Sequence, residues 1–128
     1  MKKLRVLIVD DSAVMRKIVE RSLRQAGLTL EEVREAGNGA EALDLARQTV
    51  FDLILSDINM PTMDGLEFVR QFRAMEKAGQ VPVVMITTEG SESRVVEALA
   101  LGARGYIRKP FTPDQVKECV SSLLEGLP

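Results

Sequence analysis

The 128-residue sequence has no histidine and no tryptophan, a single cysteine, a single tyrosine and only 4% aromatic residues. Without histidine the chain carries no Ser-His-Asp triad, no imidazole metal ligand and no phosphohistidine, so any histidine in its chemistry must come from a partner. The lone Cys119 forms neither an internal disulfide nor a Cys-x-x-Cys site, which suits a reducing compartment. Surplus charge is missing as well. Seventeen basic against nineteen acidic residues leave −2, so neither nucleic acid nor an anionic membrane surface is an expected partner. Long apolar runs are absent. Val6-Leu7-Ile8-Val9 follows a basic start but stops at Asp10-Asp11, too short for a signal peptide, and nothing approaches the roughly 20 apolar residues of a membrane span. There are no repeats, linkers or low-complexity stretches. The expectation is one cytoplasmic domain spanning residues 1–128.

What is present has a strict order. Val6-Leu7-Ile8-Val9, Leu53-Ile54-Leu55, Val83-Val84-Met85-Ile86 and the shorter Tyr106-Ile107 are continuous apolar runs, as expected of strands covered on both faces. Val33 with Ala36 marks a weaker fifth. Between the runs lie helical stripes. Met15, Ile18, Val19, Leu23 and Ala26 precede a stop at Gly27; Val95, Val96, Leu99 and Ala100 precede Gly102; Val116, Cys119, Val120, Leu123 and Leu124 run toward a helix end near Glu125. The last stripe turns Cys119 inward as a small hydrophobe. Asn38 before Glu41, Asp64 before Glu67, and Thr112-Pro113 before Gln115 have the spacing of capping boxes. The pattern predicts five strand–helix repeats, with strands near 4–9, 32–36, 52–57, 82–87 and 105–108. Alternation of this kind implies an α/β fold with a parallel sheet between two helical layers.

Ligands of such sheets bind beyond the carboxyl ends of the strands. Asp10 and Asp11 follow the first strand, Asp57 ends the third, Thr87 the fourth, and Lys109 follows the fifth. Each has a plain reading alone. The acid pair favours a helix N-terminus, Asp57 and Asp64-Gly65 suit turns, Thr87 is a strand-end hydroxyl, and Lys109 is a surface charge. Together they place three carboxylates, a hydroxyl and an ammonium on one rim. Three neighbouring carboxylates repel, and a hard cation with oxygen ligands relieves them, Mg2+ above all. Asp57 is then the candidate nucleophile toward phosphorus, with Lys109 and Thr87 on the phosphoryl oxygens.

At these residues the sequence resembles the receiver domains of two-component response regulators, most of all the single-domain chemotaxis regulators. The motifs are Val9-Asp10-Asp11-Ser12, Asp57-Ile58-Asn59-Met60-Pro61 with Asp64-Gly65, Met85-Ile86-Thr87-Thr88-Glu89, and Gly105-Tyr106-Ile107-Arg108-Lys109-Pro110-Phe111. The resemblance implies a doubly wound, flavodoxin-like (βα)5 domain with strand order 2-1-3-4-5. It implies Asp57 as phosphoacceptor, and Mg2+ (with Mn2+ as a substitute) on Asp11, Asp57 and the Asn59 backbone carbonyl, with Asp10 acting largely through water. Lys109 is implied as the partner of the acceptor carboxylate, with a cis Lys109-Pro110 bond. It implies a switch in which Thr87 moves toward the phosphoryl group and Tyr106 turns inward, repacking helix 4, strand 5 and helix 5. Implied partners are a sensor histidine kinase as phosphodonor, a flagellar motor switch protein and a phosphatase. The domain itself is expected to be a monomer, with only weak self-phosphorylation and autodephosphorylation activity.

Some positions stand apart. Asn59 and Glu89 match the chemotaxis pattern and are expected, with Thr88, to tune phosphate lifetime. Thr88 is bulkier than the small residue common there, and Arg108 puts charge where an apolar residue is common. A phosphorelay shuttle, handing its phosphoryl group to a histidine phosphotransfer protein, would use the same residues. Two other classes fit less well. A phosphohydrolase with an aspartate nucleophile expects an acid two residues later, where this chain has Asn59, and an FMN carrier would place phosphate against Asp10 and Asp11.

Overall fold

The computed structural model describes residues 3–88 and 92–124. Five strands, β1 (Lys3–Val9), β2 (Thr29–Ala36), β3 (Leu53–Asp57), β4 (Val83–Thr87) and β5 (Gly105–Arg108), alternate with five helices. These are α1 (Ala13–Gln25), α2 (Gly39–Gln48), α3 (Gly65–Arg73), α4 (Glu92–Leu101) and α5 (Pro113–Leu124). A 3-10 turn over Glu76–Ala78 leads into β4. All pairings are parallel, in the order β2-β1-β3-β4-β5.

The continuous apolar runs work because side chains alternate across a strand and both faces are covered. Leu7, Val9, Ile54, Val83 and Met85 point to one side, where α2, α3 and α4 supply Leu43, Phe68, Val69, Phe72, Val95 and Ala98. Val6, Ile8, Leu53, Leu55, Val84, Ile86 and Ile107 point to the other, against Val19 and Leu23 of α1 and Val116 and Val120 of α5. Phe68 is fully buried and its ring stacks 5.7 Å from that of Phe72. Truncating it to alanine is expected to destabilise the domain by about 3–5 kcal/mol. Cys119 is partly buried against the second cluster, as its helical stripe requires, and burial pushes its thiol pKa up.

Helix ends follow the capping signals. Asn38 accepts from the Glu41 N–H and Asp64 from the Glu67 N–H. Thr112 and Gln115 exchange reciprocal bonds, with Pro113 at the first helical position. Ser12 caps α1 in the same way, accepting from the Met15 N–H at 3.2 Å. Its motif lacks the third-position Glu or Gln that makes a capping box recognisable. Gly27 and Gly102 close α1 and α4 with φ of 96° and 118°. One boundary differs from expectation: β2 begins at Thr29 rather than near residue 32. It is an edge strand, where Glu31, Glu32 and Arg34 serve as solvent-side charges and mask the strand signal. The expected end of α5 near Glu125 lies outside the described residues.

Candidate functional site

A parallel sheet delivers every C-terminal strand end to one rim, and the reversal of strand order between β1 and β3 opens a crevice there. Asp57 ends β3 opposite Ile86, and Thr87 ends β4 opposite Arg108. Asp10 extends β1 by one step, its N–H donating to the Ala36 carbonyl at 3.0 Å. The Lys109 N–H donates to the Thr87 carbonyl at 2.6 Å, carrying the β4–β5 ladder one residue further. Four chain segments thus bring their polar groups to one place through backbone pairing alone.

The ammonium of Lys109 lies 3.2 Å from Asp10 Oδ2 and 3.4 Å from Asp57 Oδ2. The other carboxylate oxygens are held by main chain. Asp10 Oδ1 accepts from the Ser12 N–H at 2.9 Å, and Asp57 Oδ1 from the Ile58 N–H at 2.7 Å. Asp10 is 3% exposed and Asp57 9%, whereas Asp11 faces solvent. Burial pushes the Asp57 carboxyl above its ordinary range, and the neighbouring Asp10 adds to the rise. Lys109 and the Ile58 N–H pull in the opposite direction without cancelling it.

Carboxylate oxygens of Asp10, Asp11 and Asp57 lie within 4.8 Å of one another. At an effective dielectric of about 20, two full charges so spaced repel by on the order of 3 kcal/mol. One lysine does not neutralise three acids. The site therefore favours either a proton on Asp57 or a further cation. Two oxygen ligands about 2.1 Å from one ion stand about 3–4 Å apart, so this oxygen-only set fits a hard, octahedral cation after small adjustments. Mg2+ is the natural match, and the donors present are consistent with it.

The remaining expected site residues are placed less uniformly. Thr87 is buried at the rim, but its hydroxyl donates to the Thr88 carbonyl at 3.1 Å, a bond that spends its proton locally. Thr88 and Asn59 are exposed beside the crevice mouth. Glu89 lies outside the described residues. Tyr106 is 47% exposed on β5 and points outward, lining a groove with Val96, Leu99 and Arg108. Arg108 pairs with Glu92 at the start of α4 at 3.2 Å. The Lys109-Pro110 bond is cis, as expected.

Sequence reading missed three supports. Gly65 looked like a turn residue, yet a Cβ there would stand 2.1 Å from the Asp57 carbonyl oxygen and 2.9 Å from Ile58 Cα. Its N–H donates to the Ile58 carbonyl at 2.8 Å, so α3 starts against the very peptide that follows Asp57. Thr62 holds φ 68°, a left-handed conformation rare for a branched residue, in the loop between Asp57 and α3. Arg16 donates from Nη1 to the Asp10 carbonyl at 2.6 Å. The Asp-Gly pair was a visible signal for the first; nothing local marked the other two.

Comparison with known proteins agrees with this geometry. Residues 6–121 match the family model described as the response regulator receiver domain. The chain is 41% identical over 122 residues to a Campylobacter jejuni protein named chemotaxis protein CheY homolog, covering 94% of this chain and 92% of the relative. It superposes on the chemotaxis response regulator CheY4 of Vibrio cholerae with a TM-score of 0.84 and 40% identity, covering 96% of this chain and 100% of that one. It also superposes, at a TM-score of 0.84 and 26% identity, on the receiver domain of a Pseudomonas aeruginosa sensor histidine kinase solved with magnesium in its active-site cleft; 98% of this chain and 100% of that one are covered.

Proposed function

The chain belongs to the response regulator receiver family, and from that membership we propose that it takes a phosphoryl group on Asp57 from a sensor histidine kinase of the CheA type. The observation that carries this reading is the Lys109 ammonium shared between Asp10 and Asp57 at 3.2 and 3.4 Å. In the transfer, an Asp57 oxygen bonds to phosphorus as the phosphorus–nitrogen bond of the donor phosphohistidine breaks. The electron pair stays on the departing imidazole nitrogen, which takes up a proton. Lys109 moves from carboxylate oxygens to phosphoryl oxygens, and the crevice walls hold acceptor and donor in line. Asp11, Asp57 and the Asn59 backbone carbonyl, supported by Asp10, would hold Mg2+, which would supply neutralisation of the acids and of the phosphoryl oxygens. Asn59 stands where a phosphohydrolase of this type carries a general acid, so the domain is a phosphoacceptor rather than a turnover enzyme.

The signal follows from the added charge, roughly −1.5 to −2. The Thr87 hydroxyl exchanges the Thr88 carbonyl for a phosphoryl oxygen, and Tyr106 leaves its exposed position to fill the space behind it. The face made by α4, β5 and α5 then presents a different surface. The proposed output partner is a flagellar motor switch protein, with a phosphatase ending the signal, a reading supported by relatives named for chemotaxis. Incubation with acetyl phosphate and Mg2+, read by intact mass, tests the proposal. A single phosphoryl adduct is expected on the wild type, lost with chelator and lost in Asp57→Asn. An adduct that persists in Asp57→Asn overturns it.

A further inference from the structure

Two of the three acids sit in the loop between β1 and α1, and the main chain of that loop is gripped from behind. The Asp10 N–H donates to the Ala36 carbonyl at 3.0 Å. The Asp10 carbonyl accepts from Arg16 Nη1 at 2.6 Å, and Arg16 Nε reaches Glu35 Oε1 at 2.8 Å. Both ends of the residue are therefore tied to β2, one directly and one through a guanidinium. Asp10 has no side-chain freedom left either, since one oxygen takes the Ser12 N–H and the other Lys109. Asp11 differs. Its side chain is exposed, and among the described residues its carboxylate accepts no hydrogen bond. Its direction is set by the peptides on either side: the one to Ser12, whose N–H donates to Asp10 Oδ1, and the one to Asp10, whose oxygen Arg16 holds.

We propose that Arg16, oriented by Glu35, is a positioning residue that aims the Asp11 carboxylate at the cation site. Its planar fork offers two diverging donors to two acceptors on different segments, which a lysine ammonium on a flexible stem does not reproduce. Arg16 is mostly buried, with 19% of its side chain exposed, whereas Lys17, the other cation on Glu35, is 68% exposed. Arg16 is thus the sheltered member of the pair, and Lys17 is peripheral to the tie. Groups hydrogen-bonded directly to a metal ligand typically change affinity by about 10–100-fold when replaced, and Arg16, acting through the peptide before Asp11, is expected near the lower end of that range. The inference rests on the proposed function, because it takes the acid cluster to be a divalent-cation site.

The test is Mg2+ binding by calorimetry to the full chain without phosphodonor, for wild type, Arg16→Lys, Arg16→Ala and Glu35→Gln, beside thermal unfolding in chelator. A residue that only fastens α1 would lower the unfolding midpoint and leave the Mg2+ affinity of the folded protein unchanged. Positioning predicts that Kd rises about 10-fold or more in Arg16→Ala and Arg16→Lys, and less in Glu35→Gln, which keeps a neutral acceptor for Nε. Arg16→Lys retains charge and most of the packing, so it answers if Arg16→Ala does not fold. Wild type and Arg16→Lys binding Mg2+ within twofold of each other would overturn the positioning role alone. A wild type that takes up no Mg2+ would overturn both this inference and the functional reading beneath it.

Discussion

Two carboxylates near the β1–α1 loop are treated in opposite ways. Glu35 is met by two cations, Lys17 at 2.9 Å and Arg16 at 2.8 Å, and both hold its carboxyl below the ordinary range. Asp57 shares one lysine with Asp10, is mostly buried, and is pushed the other way. Glu35 is a satisfied group that fixes its neighbours. Asp57 is left short of positive charge, and a shortage held in place by the fold is what a site for a cation and a phosphoryl group requires. Glu67 resembles Glu35: it sits against Arg70 and Gln71 on α3 and is held at a pKa of about 2.

The contrast breaks most sharply at Lys109. Lys109→Met removes the only ammonium found on the acid cluster among the described residues, and the rate of labelling by acetyl phosphate should fall by about 100-fold or more, as for other single charge-stabilising donors. A labelling rate within a few-fold of wild type would mean that the ammonium is not in the reaction. Gly65→Ala comes next. Its methyl group would meet the Asp57 carbonyl, so urea unfolding should show a loss of about 2–3 kcal/mol together with slowed labelling.

Acidity sharpens the same comparison. For Asp57 the folded pKa lies above the ordinary 3.8, so the folded state binds more protons between those values and stability falls as pH rises through that window. Asp57→Asn should therefore unfold at a higher temperature than wild type at neutral pH in chelator, with the advantage shrinking as pH falls from the raised folded value toward 3.8 and absent below it. For Glu35 the folded pKa lies below 4.5, so its contribution is present above 4.5 and is lost as pH falls through the lowered value. Glu35→Gln should be the less stable protein at neutral pH and should converge on wild type in acid. Thermal unfolding across pH would show the two variants departing from wild type in opposite directions. The smallest effect is expected at Thr88, an exposed branched residue at the crevice mouth. Thr88→Ala should speed acetyl-phosphate labelling or phosphate loss by a few-fold, and unchanged rates would show that its bulk does not limit access.

Legibility tracked locality. β1, β3 and β4 announced themselves because strands buried on both faces need unbroken apolar runs, whereas β2 hid its first residues behind edge charges. The strand order came from family resemblance, since strand–helix alternation alone fixes only that the sheet is parallel. Asp10, Asp57, Thr87 and Lys109 were readable as strand-end polar residues, and the sheet does bring their segments to one rim. What stayed hidden were contacts made to main chain across the fold. Arg16 carries no local mark in the sequence, because its acceptor is the Asp10 carbonyl. Gly65 looked like a turn because the atom it must clear belongs to Asp57. The direction of the Thr87 hydroxyl was equally invisible, since a backbone carbonyl next door competes for it.

Under the proposed function, the cation-poor acid pocket makes Asp57 the group that carries phosphorus. Borohydride reduces an aspartyl phosphate to homoserine, and peptide mass mapping of the phosphorylated, reduced chain would locate it. Homoserine at position 57 and nowhere else is the expected result; its appearance at Asp10 or Asp11, or a stable phosphate left on a serine or threonine, would contradict the account.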